Sequence, residues 1–241
     1  MTDIGRHIRR LRSVGAHVVL SSVSKSYGVA GAGDRAARVV ALEDFSLELA
    51  SGSFTALVGP SGCGKSTLLN LLGALDRPGS GSVVVDGRDL ATLTEGERDL
   101  YRRRTAGTIF QFFNLLPTMT ALENVALPLL LSDVAPKEAD ARAAAGLAQV
   151  EMHERLGAYP YELSGGQMQR VAVARALVHE PGLILADEPT GNLDSRTGAQ
   201  VLELLAGLSR ARGITVVMAT HSSEAAAYAG QVVRMKDGRL A

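Results

Sequence analysis

The chain of 241 residues has no tryptophan and a single cysteine, Cys63. One cysteine rules out an internal disulfide and fits a reducing compartment. No apolar run approaches the roughly 20 residues that a bilayer-spanning helix requires. The longest, Val125 to Leu131, is interrupted by Pro128. A secretory leader is not expected either, because Ile4, Ile8 and Leu11 are separated by charges and form no apolar core segment. Net charge is also missing: 25 lysines and arginines balance 25 aspartates and glutamates. Composition therefore gives no electrostatic reason to expect a nucleic-acid partner. What is present, 46% apolar and 21% charged residues, suits one large-cored globular domain in the cytoplasm.

Residues 1–16 read as a basic appendage, with Arg6, Arg9, Arg10 and Arg12 beside Ile4, Ile8 and Leu11 on one helical face. Two readings stay open: a frayed tail, or a short amphipathic helix on anionic lipid. The domain proper is expected over 17–241. Strands are expected at Val18–Ser24, Val39–Leu42, Phe45–Leu49, Phe54–Val58 and Val83–Val85, with a glycine-rich surface loop over Gly28–Arg38. Leu183–Ala186 and Ile214–Ala219 read as buried parallel strands. A stretch of about 112–178 is mostly helical in pattern. The fold class is therefore α/β, with a mainly parallel sheet, an antiparallel β start and a helical insert.

Phe54–Val58 runs into Gly59-Pro60-Ser61-Gly62-Cys63-Gly64-Lys65-Ser66-Thr67, and a leucine-rich helical pattern follows. Strand, glycine-rich turn and helix make a phosphate cradle, with backbone N–H groups and a helix N-terminus facing the anion. Lys65 would neutralise the β- and γ-phosphates, and Ser66 would offer a hydroxyl to Mg²⁺. Cys63, beside Lys65 at the helix start, is expected to alkylate readily and to be shielded by ATP. Downstream, Leu183–Ala186 ends in Asp187-Glu188. Asp187 suits the Mg²⁺ shell, and Glu188 suits polarisation of an attacking water.

Leu163-Ser164-Gly165-Gly166-Gln167 opens a second helix at a serine and two glycines, another ready-made anion site. Two phosphate-binding helix starts in one chain make sense if two subunits face each other. On these motifs the span from about Val18 to Leu240 resembles an ATP-binding-cassette nucleotide-binding domain, with Leu163–Gln167 matching its signature sequence. The resemblance implies ATP sandwiched between the Gly59–Thr67 loop of one subunit and Ser164, Gly165, Gly166 and Gln167 of another. It also implies that Tyr27 stacks on adenine and that Gln111 contacts Mg²⁺ and links the site to the helical lobe. By the same resemblance Asp194 communicates across the dimer, and His221 holds the γ-phosphate. With Glu188 and His221 both present, an active ATPase is expected.

Phe110–Thr118, Ala186–Asp194 and Asn70–Asp76 are further similar to the ATPases of the lipoprotein-release and macrolide-export group. That similarity implies ATP and Mg²⁺ as cofactors and a membrane permease on a separate chain. It also implies a homodimer or paralogous dimer at the cytoplasmic face of the membrane, driving export, extraction or mechanical signalling. A regulatory cassette that moves no substrate stays open as an alternative, as does, more remotely, a soluble cassette acting on ribosomes or DNA. Phe112, Phe113, Leu115 and Leu116 are either core or the lining of a groove for a permease helix.

Overall fold

The computed structural model describes residues 15–29 and 37–241. Residues 1–14 and 30–36, which include most of the basic appendage and the middle of the Gly28–Arg38 loop, lie outside the described residues. Gly15 and Ala16 are packed with the domain: Ala16 is fully buried, and its N–H donates to the Gly182 carbonyl.

The strands are β1 (Val18–Val29), β2 (Ala37–Leu49), β3 (Phe54–Val58), β4 (Ser80–Val85), β5 (Arg88–Asp89), β6 (Ala106–Ile109), β7 (Leu183–Asp187), β8 (Thr215–Thr220), β9 (Gln231–Lys236) and β10 (Arg239–Leu240). The helices are α1 (Lys65–Leu72), α2 (Glu95–Arg104), α3 (Ala121–Leu130), α4 (Pro136–Gln149), α5 (Gly165–Leu177), α6 (Ser195–Arg212) and the single turn α7 (Ser223–Ala226).

Two sheets result. An antiparallel sheet has the order β2-β1-β4-β5. The second has the order β10-β9-β3-β8-β7-β6 and is parallel throughout except for the edge pair β9–β10. The two strands predicted at Val39–Leu42 and Phe45–Leu49 are one strand. They are joined through a kink where Asp44 takes a left-handed φ of 48° opposite a register shift in β1. The kink is tied across the strands, since the Asp44 N–H donates to Ser24 Oγ at 3.0 Å and the Ser22 N–H to Ser46 Oγ at 2.8 Å. Alternation alone does not reveal such a bulge, because the extra residue breaks the period of two.

The apolar runs of β7 and β8 are explained by burial on both faces. Ile184, Ala186, Val216 and Met218 pack toward α5, α6 and the helical lobe of α3 and α4. Leu183, Leu185, Val217 and Ala219 pack on the other side, with α1 and the antiparallel sheet. Pro128 does not end α3 but sits within it. The helix is held at its start by a capping box of Thr120 and Glu123 and ends within the next few residues. α1 is secured at its far end: three guanidinium N–H groups, from Arg98 Nε and Nη2 and Arg102 Nη1, donate to the Ala74 carbonyl. Tyr101 adds a hydrogen bond to the Leu72 carbonyl at 2.7 Å. Among the described residues no helix is long and apolar enough to cross a membrane.

Candidate functional site

Four neighbouring parallel strands end side by side, and each delivers a different chemical group to the same edge. Val58 at the end of β3 lies opposite Thr220 of β8; Asp187 of β7 lies opposite Ala219; Ile109 of β6 lies opposite Ala186. The turns beyond these ends enclose a cleft of about 380 Å³. Ser61, Gly62, Gly64, Lys65, Ser66, Thr67, Gln111, Asp187, Glu188 and His221 line it, together with Val39 and Ala41 of β2. Residues predicted from four separate stretches of sequence are therefore brought into one place.

The loop before α1 is built around close approaches. Gly64 has φ 103°, and a Cβ there would overlap the Ala41 carbonyl, so only glycine fits. α1 begins with no side-chain cap, which leaves its first amides facing the cleft. Lys65 is buried and donates to the carbonyls of Gly59 at 2.7 Å and Pro60 at 3.0 Å. Gly59, Pro60 and Cys63 do not line the cleft; the first two serve Lys65. A Cβ on Gly59 would overlap the Met235 carbonyl. The expectation of a readily alkylated Cys63 is corrected: its side chain is 3% exposed and belongs to the apolar cluster under α1. Proximity to a helix start was legible; the direction of the side chain was not.

Asp187 is half-buried, and burial pushes its carboxyl above the usual range, partly opposed by a hydrogen bond with the Ser66 side chain and by the charge of Lys65. Glu188 has a left-handed φ of 46°, and its Oε1 lies 2.9 Å from Nδ1 of the exposed His221 ring. Gln111 enters from the loop after β6, and its carbonyl accepts from Asn192 Nδ2 at 3.0 Å.

Tyr27 stands at the cleft's margin on β1, directly across from Val39. Its hydroxyl donates to Asp76 at 2.9 Å, and Lys25 Nζ lies 5.0 Å from its ring centre. Burial, then the bond to Asp76, raises the Tyr27 hydroxyl above its ordinary value. Burial also pushes the Asp76 carboxyl up, but hydrogen bonds from Lys25, the Arg77 amide and Tyr27 outweigh it and hold Asp76 low. Sequence reasoning missed Lys25 and Asp76. The spacing of Lys25 and Tyr27, two apart on one strand, was a usable signal for the first; the second closes the Asn70–Asp76 stretch of family similarity, with no local sign of its partner.

The Ser164–Gln167 turn is not in this cleft. It starts α5, and a capping box closes it: Ser164 Oγ accepts from the Gln167 N–H at 3.3 Å, while Gln167 Oε1 accepts from the Ser164 N–H at 2.9 Å. Gly166 is buried, and a Cβ there would overlap Thr197 Cγ2. Asp194 caps α6 through the Thr197 N–H at 3.0 Å, and hydrogen bonds from the Thr197 side chain and then its N–H hold the carboxyl below the usual range. It lines an adjoining cleft of about 270 Å³ that shares Glu188 and His221.

Comparison with known proteins shows the family. The family model described as ABC transporter matches residues 42–191. The lipoprotein-releasing system ATP-binding protein LolD of Geobacter metallireducens is 49% identical over 210 residues, which is 87% of this chain and 93% of that one. The macrolide export ATP-binding/permease protein MacB of Syntrophobacter fumaroxidans is 46% identical over 202 residues, 83% of this chain and 28% of that one. A solved dimeric structure, the post-hydrolysis state of the ATP-binding cassette MJ0796 bound to ADP and Pi, superposes with a TM-score of 0.83. It is 40% identical, and the match covers 92% of this chain and 96% of that one. The chain belongs to the ABC transporter family and is an ATPase of that type.

Proposed function

We propose that the chain is the ATP-hydrolysing subunit of a transporter or mechanical signalling complex, working in pairs at the cytoplasmic face of a membrane through a permease on a separate chain. One observation carries this reading: the phosphate cleft and the Ser164–Gln167 turn occupy different places in one subunit. Each chain holds the larger part of one site and the lid of another, which calls for two chains face to face. The names of its relatives, for lipoprotein release and macrolide export, support export or extraction as the work done.

In this reading the Gly62–Thr67 amides and Lys65 hold the phosphates, and Tyr27 and Val39 offer adenine an aromatic and apolar margin. Ser66 and Asp187 form an oxygen-only donor pair of the kind a hard cation takes, and Gln111 lines the same cleft. A Mg²⁺ held there would neutralise charge on the β- and γ-oxygens. Glu188 accepts a hydrogen bond from the attacking water, orienting its lone pair toward the γ-phosphorus. As the water oxygen bonds to the γ-phosphorus, the bond from phosphorus to the bridging oxygen breaks, the water's proton passes by way of Glu188 to the phosphate, and ADP and phosphate leave. His221 donates its Nδ1–H to Glu188, and in its doubly protonated form its Nε2–H donates to the γ-phosphate as well. Exposed Phe112 and Leu116, just past Gln111, are a surface suited to a permease helix.

Size-exclusion chromatography with light scattering tests the paired arrangement. Glu188→Gln is expected to form a dimer that needs ATP, with turnover down at least about a hundredfold. A monomer under every condition, with the permease present as well, would overturn it.

A further inference from the structure

α5 does more than open with the signature turn. Five residues after Ser164, about 7.5 Å along the helix, Gln169 is fully buried, and its Nε2 donates to the Pro189 carbonyl at 2.6 Å. Its Oε1 is buried with no hydrogen-bond partner. A buried amide oxygen left unpaired weakens a fold, and a methionine would fill the same space without that cost. Packing therefore does not account for glutamine here.

The carbonyl it grips belongs to the residue after Glu188. That segment is under backbone strain. Glu188 takes a left-handed φ of 46°, and the residue before a proline is restricted as well. Pro189 has no N–H, so its carbonyl is the one backbone polar group by which it can be tied. On the other side of Glu188 the chain is held by the Glu188 N–H to the Ala219 carbonyl at 3.0 Å. The carboxylate is thus suspended between two anchors, one from β8 and one from α5.

We propose that Gln169 is a positioning residue: it sets the place of the Glu188 carboxylate and ties it to the helix whose first turn meets the opposite subunit. Docking of a γ-phosphate against Ser164 then bears on Glu188 of the same chain through a rigid helix and one hydrogen bond. This rests on the reading of Glu188 as the residue that orients the water.

The test uses the full chain with Gln169→Met, Gln169→Glu and Glu188→Gln. For Gln169→Met, turnover falls between about tenfold and a hundredfold. Its KM and its affinity for a fluorescent ATP analogue stay within about twofold. Its Tm is equal to the parent's or higher, and its ATP-dependent dimer persists as in Glu188→Gln. In Gln169→Glu a neutral carboxyl can donate to the Pro189 carbonyl and a carboxylate cannot, so turnover relative to the parent rises as pH falls. Parental turnover in Gln169→Met, with Glu188→Gln silent, overturns this inference alone. So does a fall of Tm and nucleotide affinity together with turnover, which would mark a packing role. Turnover retained in Glu188→Gln would remove the underlying reading, and this one with it.

Discussion

Two helices in this molecule begin at glycine-rich turns, and they begin in opposite ways. α1 starts at Gly64 with a left-handed φ and no side-chain cap. α5 starts at Ser164 with a complete capping box. The first is held open by the steric demand of the Ala41 carbonyl on Gly64; the second is closed by its own residues. An uncapped helix start buried in a cleft is a standing demand for an anion. A capped one is satisfied without a ligand, and here the cap bond from the Gln167 N–H is a long 3.3 Å. Exchanging that bond for one to a phosphate oxygen on another molecule costs little. The difference is the one the proposed pairing needs: a start at α1 that binds nucleotide within one chain, and a start at α5 that meets a second nucleotide only when another subunit brings it.

The largest effect that would break this contrast is at Lys65. Lys65→Ala is expected to weaken ATP binding by about 2–5 kcal/mol, since a desolvated charge partner is removed; fluorescent-nucleotide titration of the monomer measures it. Gly166→Ala should leave that titration nearly unchanged. Its Cβ overlaps Thr197, so the ATP-dependent dimer should be lost in light scattering. Ser164 sharpens the contrast further. Ser164→Ala loses a cap worth about 1 kcal/mol, measured by urea unfolding, and weakens the dimer. Ser164→Asp restores the cap and the stability but sets a carboxylate against the incoming phosphate, so the stable protein should not dimerise.

A smaller effect concerns pH. The Asp187 carboxyl is raised by burial. From the unfolded value near about 4 up to its raised folded value, the folded state keeps this proton longer than the unfolded state does. Stability is therefore lost as pH rises through that window and stays lost above it. Asp187→Asn should raise the metal-free Tm at neutral pH and leave it unchanged below the window. It should also remove the extra stabilisation given by Mg²⁺ with ATP. Smallest of all is Cys63: the buried thiol should resist N-ethylmaleimide at nearly the same slow rate with and without ATP.

Much of the site could be read in advance because its parts are short, contiguous and chemically distinct. Gly59–Thr67, Asp187-Glu188 and Ser164–Gln167 each carry a strand or helix boundary within themselves. The parallel strands were equally plain, since burial on both faces leaves continuous apolar runs. Other features depended on distant chain. The Asp44 kink needs Ser24 across the sheet. The anchoring of Tyr27 needs Asp76, 49 residues further on. The inward turn of Cys63 needs the apolar cluster beneath α1, which no local pattern around Cys63 reveals.

The arginines at the far end of α1 have a mechanical consequence. Arg98, Arg102 and Tyr101 moor the last turn of α1 and the Ala74 carbonyl to α2, and the apolar face of the helix is sunk in the core. α1 is thereby the fixed point of the machine. In the proposed pairing, closure of two subunits on a nucleotide would find no give along α1. The displacement is then expected at the lobe of α3 and α4, entered through Phe113 and Asn114, two consecutive residues with left-handed φ of 61° and 49° whose carbonyls Arg175 of α5 holds. A helix moored in this way would pass force on to its neighbours instead of absorbing it.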